Sequence, residues 1–393
     1  MYYSLTNLGN KTGAELAQAV AAIPAGVTSL LLSTNDLGNK TAAELVQAFA
    51  AIPISVTELN LSLNFLYKKT GAELAQAFAA IPAGMITLNL SLNVLGDKTG
   101  VELAQAFAAI PASVASLNLN GNGFDSKTGA ELAQAFAAIP AGVASLDLNS
   151  NGLANKTGAE LAQAFAAIPA GVTALNLIWN NLGNKTGAEL AQAFSAIPAG
   201  VTSLNLSGNG LDNKTGAELA QAFAVIPTSV IALDLSLNSL DKKTGAELAQ
   251  ILAAIPATVT TITLSEEDIV NRPTKELIDL GKALPHALIK IVDVSNQPGT
   301  HAKTQELQKY MGAWINEAHA QLKDIPLPED LVDLILEKET GVNAVEISAF
   351  AKANAPVEIN KNAFFTPNAD FTKNHQHKEK QKGVMLAVQS LVR

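Results

Sequence analysis

VTSLNLSGNGLDNKTGAELAQAFAVIPTS, residues 201–229, decides the fold. Leu204 and Leu206 alternate with polar residues, the period of a short strand that turns one face inward. Asn209 stands where the chain turns. Thr215 is a good helix N-cap, and Glu218, three positions on, completes a capping box. Leu219, Ala220, Phe223 and Ile226 share one helical face, and Pro227 closes the helix because the residue before a proline resists the α region. The unit therefore reads strand, turn, helix, turn.

The same unit recurs along the chain. Lys-Thr dipeptides begin at Lys11, Lys40, Lys69, Lys98, Lys127, Lys156, Lys185, Lys214 and Lys243, always 29 residues apart. A tenth, worn copy starts at Arg272, with Pro285 at the expected offset. The position of Asn209 is also asparagine at 35, 64, 93, 122, 151, 180 and 238, but Thr6 and Glu267 mark the two atypical ends. Stacked in register, buried asparagines satisfy backbone groups of neighbouring turns that would cost about 1–3 kcal/mol each if left unpaired. A period of roughly 20 to 29 residues carrying L-x-L-x-x-N is similar to leucine-rich repeats.

Two spacings predict the shape. Paired strands sit about 4.8 Å apart, whereas packed helices need roughly 8–10 Å. The expected fold is an α/β solenoid, a horseshoe with parallel strands on the concave face and helices on the convex face. About ten repeats fill residues 1–300, a length that stacking accommodates without separate cores.

Composition narrows the function. A net charge of −9 argues against nucleic acid and against an anionic membrane surface as partners. The absence of cysteine excludes disulfides, thiolate zinc sites and a cysteine nucleophile, and suits a reducing cytosol. The segment MYYSLTNLGNKTGAEL lacks the basic stretch and apolar core of a secretory signal, and no apolar run is long enough to span a bilayer. No nucleophile–base arrangement, phosphate-cradling glycine loop or metal cluster is evident. The sequence thus reads as a binder without enzymatic activity, cofactor or metal.

The units resemble ribonuclease-inhibitor-like repeats, and GAELAQAF is similar to the GALA repeats of bacterial effector proteins. The resemblance covers roughly residues 1–300. It implies a monomeric protein that binds another protein, either a host protein or a bacterial effector, as an inhibitor or as a ubiquitin-ligase adaptor. It also implies delivery to the host cytosol without a cleaved signal peptide. The terminal VMLAVQSLVR, with Leu391 near its end, resembles the hydrophobic position of type IV secretion signals. Mammalian inhibitor members are cysteine-rich, and this chain departs from them there.

Partner information should lie where the copies differ. The helix faces are uniform in Ala, Glu and Gln, but the strand positions vary. Glu58 stands among small residues, and the site between the two leucines holds Asn176, Asn205, Asp147 and Asp234. The next outward site is Ser or Asn except at Ile178. Before the ladder asparagine stand Leu63, Leu92, Trp179 and Leu237, against Gly121 and Gly208; beyond it, Phe65 and Tyr67 interrupt a small-residue pattern. The three leucines are expected half-buried at the strand end. Trp179, the lone tryptophan of the repeats, reads either as an interface anchor or as the filler of a gap under a loop. The acidic residues favour a basic partner surface.

Beyond residue 300 the period is lost. Residues 301–355 read as a helical cap, with Leu307, Tyr310, Met311, Trp314, Ile315 and Leu322 at helical spacing. Within it, residues 324–354 form a candidate F-box-like segment: DIPLPEDLVDLILEK, from Asp324, resembles the first helix of an F-box, which makes Leu327, Pro328, Leu331, Leu334 and Ile335 candidates for ligase docking. The following GVNAVEISAFAKAN lacks the usual aromatic end, and GALA proteins carry theirs before the repeats. Residues 356–393 form a polar tail. Its His375 and His377 lack the further ligands that a metal site requires.

Overall fold

The computed structural model describes residues 1–283 and 287–292. They fall into two units: Met1–Ser239 with Ala254–Thr258, and Leu240–Ala253 with the chain from Val259 onward.

The first unit realises the 29-residue period. Strands of three residues run from Tyr2–Ser4 to Ala232–Asp234, each parallel to the next and in register, so that Leu204 faces Leu233 and Asn205 faces Asp234. Backbone bonding continues past each strand, with Leu206 N–H on Asp234 O and Gly208 N–H on Ser236 O. A one-turn 3-10 helix follows, such as Leu211–Asn213, then an α-helix such as Gly216–Phe223. Each α-helix packs on the helix of the neighbouring repeat.

The core follows the expected leucines, with two adjustments. Leu219, Phe223 and Ile226 are buried, but the alanine buried with them is Ala222, not Ala220. The α-helix ends at Phe223, and the chain reaches Pro227 through a turn in which Ile226 N–H bonds Phe223 O. Glycine at the first helical position lets consecutive helices approach. A Cβ on Gly129 would come within 2.5 Å of Glu160 Cα.

Capping boxes recur at Thr12, Thr41, Thr70, Thr99, Thr128, Thr157, Thr186 and Thr215. At the last of these, Glu218 N–H donates to Thr215 Oγ1 at 3.2 Å, and Thr215 N–H donates to Glu218 Oε2 at 2.9 Å. The threonine N–H, then the threonine hydroxyl, hold the Glu218 carboxyl below the usual range. A depressed folded value means that this contribution is present at neutral pH and is lost on acidification.

The asparagine ladder is continuous from Asn35 to Asn238 and completely enclosed. Asn122 Oδ1 accepts the N–H groups of Asn93 at 3.1 Å and Leu95 at 3.3 Å. Its Nδ2 donates to the carbonyls of Leu90, Leu119 and Asn120 at 3.1, 2.9 and 3.4 Å. Each asparagine thus completes the backbone of the repeat before it. Some of the lysines add a second link: Lys156 Nζ donates to Asp125 O at 2.6 Å, Lys185 Nζ to Lys156 O at 2.9 Å, and Lys40 Nζ to Lys11 O. Lys69 and Lys127 stand 3.7 and 3.6 Å from the capping Glu73 and Glu131 of their own repeats.

In the second unit a strand Thr261–Ser265 pairs in parallel with Leu288–Val292, and a four-residue helix, Glu267–Val270, follows the first of them. The helix Thr274–Ala283 packs on Gly245–Ala253. The ladder position here belongs to Asp268, one residue later than the expected Glu267, because the chain enters this short helix instead of a 3-10 turn. Asp268 is fully buried and accepts Asp241 N–H on Oδ1 at 3.0 Å and Ser265 N–H on Oδ2 at 2.9 Å. Arg272 occupies the lysine position and donates to Lys243 O and Leu240 O.

Among the described residues no helix is long and apolar enough to cross a membrane, and no three His, Cys, Asp or Glu side chains are grouped to hold a metal ion. The expected helical cap, the F-box-like residues Leu327, Pro328, Leu331, Leu334 and Ile335, and the tail all lie outside the described residues.

Candidate functional site

The Asn and Asp residues between the two core leucines have a structural duty that their spacing did not reveal. Each turns its side-chain oxygen onto the N–H two residues ahead: Asn176 onto Ile178 at 3.0 Å, Asn205 onto Ser207 at 2.9 Å, Asp147 onto Asn149 at 2.9 Å, Asp234 onto Ser236 at 2.9 Å. An Asx-type closure of this kind accepts either Asn or Asp, which explains why the position alternates between them. Asp234 is tied further, by the Ser236 hydroxyl at 2.7 Å and by Asn205 Nδ2 at 3.2 Å. Burial pushes the Asp147 carboxyl up from its ordinary value, opposed by the Asn149 N–H. Glu58 is exposed at the start of its strand.

The larger departure lies on either side of the ladder asparagine, where both flanking residues adopt left-handed backbone. The Asn122 and Asn209 repeats meet this with glycine on both sides, at Gly121, Gly123, Gly208 and Gly210. Other repeats do not. Leu63, Phe65, Leu92, Val94, Trp179 and Leu237 all have φ between 53° and 58°. For an L-residue that conformation costs roughly 1–2 kcal/mol, and for a β-branched residue such as Val94 it is a true outlier. Strained positions of this kind cluster at functional sites.

The apolar side chains held by that strained backbone are all exposed, though Ile54, Ile86, Val101 and Ile231 are exposed on ordinary backbone too. Trp179 is 54% exposed, Leu92 44%, Leu63 43%, Phe65 42%, Val94 41% and Leu237 38%. The three leucines thus keep somewhat more than half of their surface covered, in line with their place at the strand end. Trp179 combines both expectations: its ring lies over Gly208, where an added Cβ would meet Cδ2 and Cε2 at 3.0 Å, yet more than half of it faces solvent. Ile178 beside it is half-buried. Phe65 meets Tyr67 edge-on with centroids 6.3 Å apart, and Lys68 Nζ stands 5.3 Å from the Phe65 centroid.

The sequence reading grouped these residues by strand position. The structure instead sorts them by repeat, with Leu63, Phe65, Leu92 and Val94 on the adjacent Asn64 and Asn93 repeats, and Trp179 on the Asn180 repeat. Val94 was missed. The signal was present, because Gly-Asn-Gly at 121–123 and 208–210 identifies positions where any other residue is strained.

Short parallel strands in register, a buried asparagine ladder and a helix behind each strand define a leucine-rich-repeat solenoid, an architecture that offers an extended surface to protein partners. Among solved structures the chain is similar to the leucine-rich-repeat-containing protein LegL7 from Legionella pneumophila, with 42% identity and a TM-score of 0.68 over 78% of this chain and 97% of that one. The chain belongs to the leucine-rich-repeat proteins. The Rad7–Elc1 complex of yeast matches at 13% identity and a TM-score of 0.40 over 76% of this chain and 79% of that one, too distant to carry an argument. No family model and no curated protein sequence matches the chain.

Proposed function

We propose that the protein is a secreted bacterial effector that acts by binding, not catalysis, and grips a host or bacterial protein across its strand face and the adjoining turns. The observation that carries this reading is Trp179, a large aromatic held on left-handed backbone with over half its surface in water. Exposed tryptophan is the side chain most enriched at binding hot spots, and here the fold sustains strain to present it. The repeats' resemblance to GALA effectors and the likeness to a Legionella protein support the effector role.

Full-length protein used as bait in host-cell lysate should capture a partner that is lost when Trp179→Ala is combined with Asp147→Lys. A single hot-spot aromatic contributes on the order of 2 kcal/mol or more to binding, so retention should fall by at least about tenfold. Unchanged capture by the double variant would remove the strand face from this reading.

A further inference from the structure

We infer that the Asn64 and Asn93 repeats form a second docking surface, and that its occupant is a basic amphipathic helix of a partner protein. The inference rests on the protein-binding reading but not on Trp179, which stands on another repeat. Leu63 and Leu92 occupy equivalent sites of adjacent repeats, as do Phe65 and Val94. All four are more than two-fifths exposed on left-handed backbone. Two rows of two apolar side chains therefore lie along the stacking direction. Neighbouring parallel strands are about 4.8 Å apart, close to the roughly 5.4 Å pitch of an α-helix. A helix laid along the stack sets one turn over each repeat, with apolar residues spaced three and four apart meeting the two rows in turn.

Charge sets the rest of the occupant's chemistry. Asp36, Asp97 and Asp125 are exposed on the turns of the Asn35, Asn93 and Asn122 repeats, and Glu58 is exposed on the strand of the Asn64 repeat. On the same segments Lys40 and Lys69 are buried, and Lys98 and Lys127 are half-buried, with Lys127 held 3.6 Å from Glu131. Lys68 is exposed but engaged, with Nζ 2.7 Å from Asn39 Oδ1 and near the Phe65 ring. An apolar surface bounded by carboxylates selects a helix whose leucine-like stripe is flanked by Lys or Arg. The Asn122 repeat ends the surface, since Gly121 and Gly123 replace the apolar pair.

The test uses full-length protein and two synthetic amphipathic helices, one of leucine and lysine, the other of leucine and glutamate. Fluorescence anisotropy should show the lysine helix binding, more weakly as salt rises, and the glutamate helix binding at least about tenfold less well. Phe65→Gly with Val94→Gly should weaken the lysine helix by a similar factor while the melting temperature holds or rises, because glycine relieves the left-handed backbone. Leu63→Ser with Leu92→Ser provides an independent loss. Equal binding of the two helices overturns the assignment of charge, and undiminished binding by both variants overturns the site. If sedimentation shows a dimer of the chain that these variants abolish, the occupant is a second copy and the inference fails. Should the variants capture the lysate partner normally while Trp179→Ala with Asp147→Lys does not, this surface falls and the protein-binding reading stands. Failure of the wild-type protein to capture any partner removes that reading instead.

Discussion

Replacing Asn122 with leucine is expected to break the first unit between two repeats. The asparagine side chain accepts two backbone N–H groups and donates to three carbonyls, all enclosed except that of Asn120, which is partly buried. Leucine fills a similar volume and satisfies none of them. An orphaned buried polar group costs about 1–3 kcal/mol, so even if local movement rescues all but two, the loss is about 4 kcal/mol. Repeat stability is a sum of unit and neighbour terms, and the whole deficit falls on one junction. Urea unfolding followed by circular dichroism should separate into two steps. Hydrogen exchange should show the amides of Asn93 and Leu95, the two donors left without an acceptor, opening first. If those two amides keep their wild-type protection, the ladder does not carry the weight assigned to it.

The second large effect lies at Asp268, where the ladder ends in a carboxylate. Asp268→Ala leaves the N–H groups of Asp241 and Ser265 without their acceptor, a loss of about 2–6 kcal/mol. Asp268→Asn behaves differently. Burial pushes the Asp268 carboxyl from its ordinary 3.8 up to about 6, against the hydrogen bonds of Ser265 and Asp241 N–H, with the Asp241 charge adding to the rise. The folded state therefore binds the proton more tightly than the unfolded one. Stability from this group is greatest below about pH 4, falls as pH rises to about 6, and is flat above that, a change of about 3 kcal/mol. Asparagine imitates the protonated acid and, at Asn122, serves two N–H donors from one oxygen. Asp268→Asn should then be at least as stable as wild type at about pH 7, with the advantage vanishing towards about pH 4. A constant difference across that range would mean that Asp268 does not titrate as its burial requires. The capping glutamates work with the opposite sign, since their depressed folded values make acid destabilising.

Most of the architecture was legible because it rests on periodicity. Leu204 and Leu206 declare a strand, Thr215 and Glu218 a helix start, and Asn209 a buried polar link; all three readings are local and repeat at a fixed interval. The positions that escaped depend on quantities that side-chain patterns do not encode. Hydrophobic period carries no sign of φ, so the strain at Phe65 and Val94 shows in the sequence only by comparison with the Gly-Asn-Gly of the Asn122 and Asn209 repeats. Asp147 and Asp234 looked like free surface charge, because closure onto an N–H two residues ahead requires knowing where the strand ends. The shift from Glu267 to Asp268 follows from one short helix that replaces a 3-10 turn. Ala222 took the place of Ala220 because the helix buries a face rotated by part of a turn from the one assumed.

The junctions between units have a consequence for how such a protein changes. The ladder asparagine and the backbone make the same bonds at successive boundaries, so removing or inserting a 29-residue unit leaves matching partners on both sides. Between the Asn93 repeat, with Val94, and the Asn180 repeat, with Trp179, stand two units that present little apolar surface. Each unit gained or lost there moves the two contact regions apart or together by about 5 Å, the spacing of one strand. The distance between them can thus change in fixed increments by recombination alone, with no new packing to be found, and a partner of different dimensions comes within reach of the same two contacts.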